Sequence, residues 1–155
     1  MKSLMIVLLM FVVSWSQEGT RYADSRLLFR EAMSAGSNLV LYMERNDLEV
    51  VKIDMDLIST GNDKQTLKKL SPNFSYIISA VGQPSRILDL DIEVYFVQEN
   101  GGLSLVAQDH EVDNTPTVTF KPYVSGNYMV NIKAAKMVPG QEGNMGFYFL
   151  VIAHN

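Results

Sequence analysis

The chain has 155 residues, a length that favours one domain and suffices to bury a core. Its net charge of −4 and its single adjacent basic pair, Lys68-Lys69, give no electrostatic reason to bind nucleic acid or anionic lipid. The absence of cysteine removes a disulfide framework, a thiolate metal site and a lipid-modified cysteine.

Lys2 supplies a positive start, and an unbroken apolar run from Leu4 to Val13 follows it. Ser14-Trp15-Ser16 then places small residues around a bulky one ahead of Gln17. This pattern predicts a secretory signal peptide over residues 1–16, cleaved after Ser16. Spanning a bilayer takes about 20 apolar residues, more than this run holds, so a signal is expected rather than an anchor. The expected location is secreted or periplasmic, with no stable membrane insertion after cleavage.

Residues 17–37 read as an N-terminal helical segment. Between Tyr22 and Met33 there is no Gly or Pro, and Leu28 and Ala32, with the neighbouring Leu27 and Phe29, supply an apolar face. Asp24 or Ser25 suits the first turn, and Gly36-Ser37-Asn38 reads as a stop. The β-sandwich is expected over residues 38–155. Leu39 to Met43 suits either a resumed helix or a short strand, and the strand is favoured.

Val51-Lys52-Ile53-Asp54-Met55-Asp56-Leu57 alternates as a half-buried strand with its acids outward. Thr60 to Asp63 turns the chain, and a short, poorly patterned strand covers residues 65–70. Residues 74–81 are apolar on both faces, as a central strand would be. Leu88-Asp89-Leu90-Asp91-Ile92-Glu93-Val94-Tyr95-Phe96 carries the clearest alternation in the chain. Ile92 and Val94 are expected between two sheets, while Asp89, Asp91 and Glu93 form a solvated outer row. Asn100-Gly101-Gly102 makes a hairpin to a strand over residues 103–108. Further strands follow with Val118 and Phe120 inward, then Tyr128, Val130 and Ile132, and an apolar run from Phe147 to Ala153 closes the pattern. Roughly eight strands at regular spacing predict an all-β, jelly-roll-like antiparallel sandwich with a short N-terminal helix.

Four segments then carry a resemblance. Leu88 to Tyr95, Leu105-Val106-Ala107-Gln108-Asp109, Thr115-Pro116-Thr117-Val118-Thr119-Phe120 and Ser125-Gly126-Asn127-Tyr128 resemble the bacterial pre-peptidase C-terminal domain. In that family a D-L-D-L strand, an acidic turn, a P-x-V-x-F strand and an S-G-x-Y strand occur in this order. The likeness runs from about Gln65 to Ala153. It implies a jelly-roll-like β-sandwich of the kind appended to secreted peptidases, and hence an accessory or binding module. No catalytic domain precedes the sandwich in this sequence, so peptidase activity is not carried over.

Catalytic candidates are sparse. His110 lies in a loop between Asp109 and Glu111, and His154 stands one residue from the end, where fraying is expected. No nucleophile-elbow sequence or H-E-x-x-H motif is present. The acids offer a calcium candidate, because calcium takes oxygen ligands from several carboxylates and carbonyls. Asp109, Glu111, Asp113 and Asn114 share one loop, and Asp89, Asp109 and Asp113 make up the candidate metal set. The competing reading is an acidic row that solvates the sheet and discourages edge pairing. Tyr95, Tyr123, Phe147 and Tyr148 are candidates for a carbohydrate- or peptide-binding face. Asn73-Phe74-Ser75 fits a glycosylation sequon. Two functions remain open: an exported, non-catalytic module that binds a secreted or envelope protein or a carbohydrate, and a small secreted hydrolase. A pocket uniting nucleophile and base would favour the second.

Overall fold

A computed structural model describes residues 26–140 and 143–155 of the chain. The predicted leader and residues 22–25 of the predicted helix lie outside that range. Leu28, Ala32, Leu39 and Met43 recur at helical spacing, and a continuous helix, α1, occupies residues 26–45 with these side chains turned inward. Two expectations are corrected here: Gly36-Ser37-Asn38 does not stop the helix, and Leu39 to Met43 is helix rather than strand. Gly36 is buried inside α1, where a β-carbon would overlap the ring of Phe149. The residue is a close-packing point, a role that local sequence does not disclose. The helix instead ends at Asp47, which adopts a left-handed φ of 57° while the Leu48 amide donates back to the Met43 carbonyl at 3.1 Å.

Among the described residues eight strands follow: β1 (Glu49–Ile58), β2 (Lys64–Leu70), β3 (Tyr76–Gly82), β4 (Ile87–Val97), β5 (Leu103–Asp109), β6 (Thr117–Phe120), β7 (Gly126–Met137) and β8 (Gly146–His154). They form two four-stranded sheets, β1-β8-β3-β6 and β2-β7-β4-β5, with every pairing antiparallel. This interleaved order is that of a jelly roll, and the expected all-β sandwich is the fold. The predicted central strand, now β3, lies between β8 and β6.

The space between the sheets holds the main core. Ile78 and Leu150 from the first sheet meet Ile92, Val94, Val130 and Ile132 from the second, all fully or almost fully buried. A second apolar layer lies on the other side of the first sheet. There Leu39 and Met43 of α1 pack on Phe149, Val151 and Ala153 of β8. Strand β8 is therefore buried on both faces, which explains its unbroken apolar sequence.

Strand β1 corrects a further expectation. Asp54 and Asp56 pair with Leu150 and Tyr148, whose side chains face the main core, so the acids point between the sheets rather than outward. At that side of the sandwich β2 meets them. Lys64 Nζ lies 2.8 Å from Asp56 Oδ2, Thr66 Oγ1 donates to Asp54 Oδ2 at 3.1 Å, and Lys68 Nζ donates to the Val51 carbonyl at 3.0 Å. The hydrogen bond from Lys64 lowers the Asp56 pKa. Burial, followed by the charges of Asp54 and Asp56, raises that of Tyr148. Periodicity shows which residues share a face; it does not show which way that face looks.

Candidate functional site

Strand β4 lies between β7 and β5, so its two faces belong to the main core and to the outer surface of the second sheet. Leu90, Ile92 and Val94 fill the core face as expected. Register irregularities on either side of Asp89 put Ile87 into the core and leave Leu88 41% exposed, against the expected inward Leu88. The outer row is not solvated as expected either. Glu93 is only 7% exposed, Asp89 is buried and Asp91 is half-buried.

Glu93 is buried because the neighbouring strands surround its carboxylate with donors. Asn131 stands opposite it on β7 and Lys133 one outward position further along. Lys133 Nζ donates to Glu93 Oε1 at 2.8 Å, and His110 Nε2 lies 3.2 Å from the same oxygen. Tyr95 Oη and Asn131 Nδ2 donate to Oε2 at 2.9 and 3.2 Å. The Asn131 amide also donates to Asp63 Oδ2 at 3.3 Å, which ties in the turn before β2. Burial alone would raise the Glu93 pKa, but the bonds from Lys133, Tyr95 and Asn131 overcome it and hold the carboxyl at about 2. The bond to Glu93 in turn raises the pKa values of Lys133 and Tyr95. Asp91 moves the other way: burial raises its pKa, and the neighbouring Asp89 and Glu93 charges add to this while His110 and Lys133 oppose it.

Beside this network runs an apolar row. Leu67 of β2 pairs with Met129 of β7, Met129 with Tyr95 of β4, and Tyr95 with Leu105 of β5. All four side chains occupy outward positions, with Leu67 62% and Leu105 50% exposed. Strands lie about 4.8 Å apart, so the row crosses roughly 14 Å of the sheet. The next row along is Gln65, Asn131, Glu93 and Gln108, aligned by the same pairings. The outer face thus presents an apolar stripe flanked by a polar one whose geometry is fixed by internal hydrogen bonds.

The other sequence-derived candidates fall elsewhere. The acidic loop does approach β4, since the Leu90 amide donates to the Asp113 carbonyl at 2.8 Å. Asp109, however, spends its two oxygens on the amides of Glu111 and Thr117 at 3.0 and 2.8 Å, and Asp113 accepts from the Thr115 amide at 2.7 Å. One Asp89 oxygen is buried without a partner. Among the described residues no group of three or more histidine, aspartate or glutamate side chains is arranged to hold a metal ion, and Asp89, Asp109 and Asp113 do not form one. The four aromatic candidates do not share a face. Tyr148 is in the core, Phe147 meets Phe29 of α1 edge-on, Tyr123 packs edge-on against Phe96, and Tyr95 alone joins the row on the second sheet. His154, expected to fray, is buried in β8 and stacked 4.0 Å from Phe74. Sequence reasoning passed over Leu67, Leu105, Met129, Asn131 and Lys133, because each acquires meaning only through the cross-strand register.

The sequence matches no protein-family model and no curated protein. Its fold matches solved structures. A surface-associated copper-binding protein of Methylomicrobium album BG8, CorA, is 8% identical with a TM-score of 0.52, covering 66% of this chain and 93% of that one. The mitogen derived from Yersinia pseudotuberculosis is 12% identical with a TM-score of 0.48, covering 67% and 85% of the two chains. The pre-peptidase C-terminal domain of collagenase from Bacillus anthracis is 12% identical with a TM-score of 0.48, covering 65% and 87%.

Proposed function

We propose that the protein is an exported, non-catalytic binding module that engages another exported or envelope protein through the outer face of the second sheet. The observation that carries this reading is the register-matched row Leu67, Met129, Tyr95 and Leu105, set beside the Glu93 network. An apolar centre containing Met and Tyr with a polar flank is the composition of protein interfaces. A carbohydrate face would call for several flat rings, and Tyr95 is the one ring in the row. The donors of Tyr95, Asn131 and Lys133 are already engaged by the Glu93 carboxylate, which leaves them less free for sugar hydroxyls. Export rests on the N-terminal apolar run. Among the described residues no helix is long and apolar enough to cross a membrane.

The test is affinity capture from the exported fraction of the native host. It compares the protein with its Leu67→Asp/Leu105→Asp variant, alongside a glycan array. Both positions are surface-exposed, so the variant is expected to melt within a few degrees of the parent. A protein captured by the parent and lost with the variant supports the reading. Equal capture by both, or binding to glycans with no protein captured, overturns it.

A further inference from the structure

Helix α1 packs on β8 and leaves part of the outer surface of the first sheet uncovered on the β3 and β6 side. The result is a cleft of about 650 Å³ between the helix and the sheet. Ligand pockets commonly occupy about 300–1,000 Å³ and combine apolar walls with a few polar groups. Here Ala35, Leu39 and Met43 of α1 and Val81 of β3 supply apolar walls. None of the lining side chains carries a charge.

The polar groups of the cleft divide into two kinds. On the sheet side, Ser79 Oγ and Thr117 Oγ1 lie 2.7 Å apart, Ser79 Oγ donates to the Pro116 carbonyl at 3.2 Å, Thr115 Oγ1 donates to Asn114 Oδ1 at 3.1 Å and Asn114 Nδ2 donates to the Gly82 carbonyl at 3.4 Å, so these groups are engaged with the fold. On the wall, Asn38 and Tyr42 stand one helical turn apart on α1. Neither the Asn38 amide nor the Tyr42 hydroxyl has a hydrogen-bond partner among the described residues. They supply a donor and acceptor pair beside the apolar side chains of Leu39 and Val81.

We infer that this cleft, which is separate from the outer face of the second sheet, binds an uncharged small molecule with an apolar body and one hydrogen-bonding end. The apolar body lies over Val81 and Leu39, and its polar end meets Asn38 and Tyr42. A charged ligand is disfavoured because it would lose hydration without meeting an opposite charge.

A neutral fluorescent probe, N-phenyl-1-naphthylamine, tests the inference on the full chain. It is expected to bind at one saturable site. Ala35→Trp, which fills the cleft, is expected to weaken binding about tenfold or more, and Asn38→Ala to weaken it about threefold with an unchanged melting temperature. The anionic counterpart 8-anilinonaphthalene-1-sulfonate, which adds a sulfonate to the same rings, is expected to bind at least about tenfold more weakly. Unchanged probe affinity in a folded Ala35→Trp variant overturns the inference, as does equal affinity for the anion. If Ala35→Trp lacks a cooperative melt, Thr117→Trp closes the cleft from an exposed strand position and is read in the same way.

Discussion

Gly36 of α1 lies against the ring of Phe149 of β8, so closely that a β-carbon at position 36 would overlap the ring carbons. This contact sets how near the helix comes to the first sheet. An exposed glycine in a helix interior is less favourable than alanine by about 1 kcal/mol, so helix propensity alone would make Gly36→Ala stabilising. The structure predicts the reverse. Forcing the helix off Phe149 is expected to cost about 1–3 kcal/mol, measured by urea melting. Phe149→Leu in the same chain is expected to recover part of the loss, and a stabilised single variant would show that the helix does not sit where the contact places it.

Glu93 makes folding depend on acid. Its pKa is lower in the folded chain, at about 2, than the unfolded value of about 4.3. Its contribution is therefore complete above the unfolded value and is lost as the pH falls toward the folded one. That contribution is on the order of 3 kcal/mol at neutral pH. Glu93→Gln is expected to lower stability at pH 7 by about 2–3 kcal/mol, and the gap is expected to close by about pH 2. Parallel stability curves for the two proteins from pH 7 to pH 2 would remove Glu93 from this role.

Glu31 fastens α1 to the loop between β3 and β4. It accepts hydrogen bonds from Gln83 Nε2 at 3.1 Å, from the Ser85 amide at 3.0 Å and from Ser85 Oγ at 2.5 Å. Gln83 is almost fully buried and its Oε1 accepts from the Phe147 amide at 3.2 Å, so the fastening reaches β8. Glu31→Ala is expected to cost about 1–3 kcal/mol. It is also expected to speed hydrogen exchange in α1 more than in the strands of the second sheet. Uniform acceleration across the chain would mean that Glu31 supports the whole domain rather than the helix.

Asp109 and Asp113 cap an exposed edge. Strand β6 ends the first sheet, and the amides of Thr115 and Thr117 point away from β3 into these two carboxylates. Such capping keeps a strand edge from pairing with another chain. Asp109→Ala is expected to increase concentration-dependent light scattering at a temperature where the native chain stays monodisperse, with a modest loss of about 1 kcal/mol. Unchanged scattering at equal stability would count against an edge-guarding role.

The legible part of this fold is the part written in alternation and turn chemistry. Ile92, Val94, Val130 and Ile132 announce their face, and Asn100-Gly101-Gly102 announces its hairpin, closed by a bond from the Gln98 amide to the Gly102 carbonyl at 2.8 Å. What escaped depends on partners distant in the chain. Gly36 reads locally as a helix stop, and only the Phe149 ring explains it. Asp54 and Asp56 form an alternating set, yet β2 decides that they face inward. Glu93 reads as a solvated acid until the register places Asn131 opposite it and Lys133 nearby. The candidate site was the least legible, because a row of side chains across four strands has no continuous trace in the sequence.

The position of β8 also has a kinetic consequence. It occupies the interior of the first sheet, between β1 and β3, and provides the seat for α1, yet every other element precedes it in the chain. Until β8 has been synthesised, β1 and β3 lack a common neighbour and α1 has no surface to settle on. Contacts of such long sequence separation close late and slow the folding reaction. A nascent chain arrested before Gly146 is expected to remain open to protease along α1 and β1, and release of β8 completes both layers in one step. Under the proposed export, in which the chain would cross a membrane as an unfolded thread, that delay keeps it open until β8 has been made.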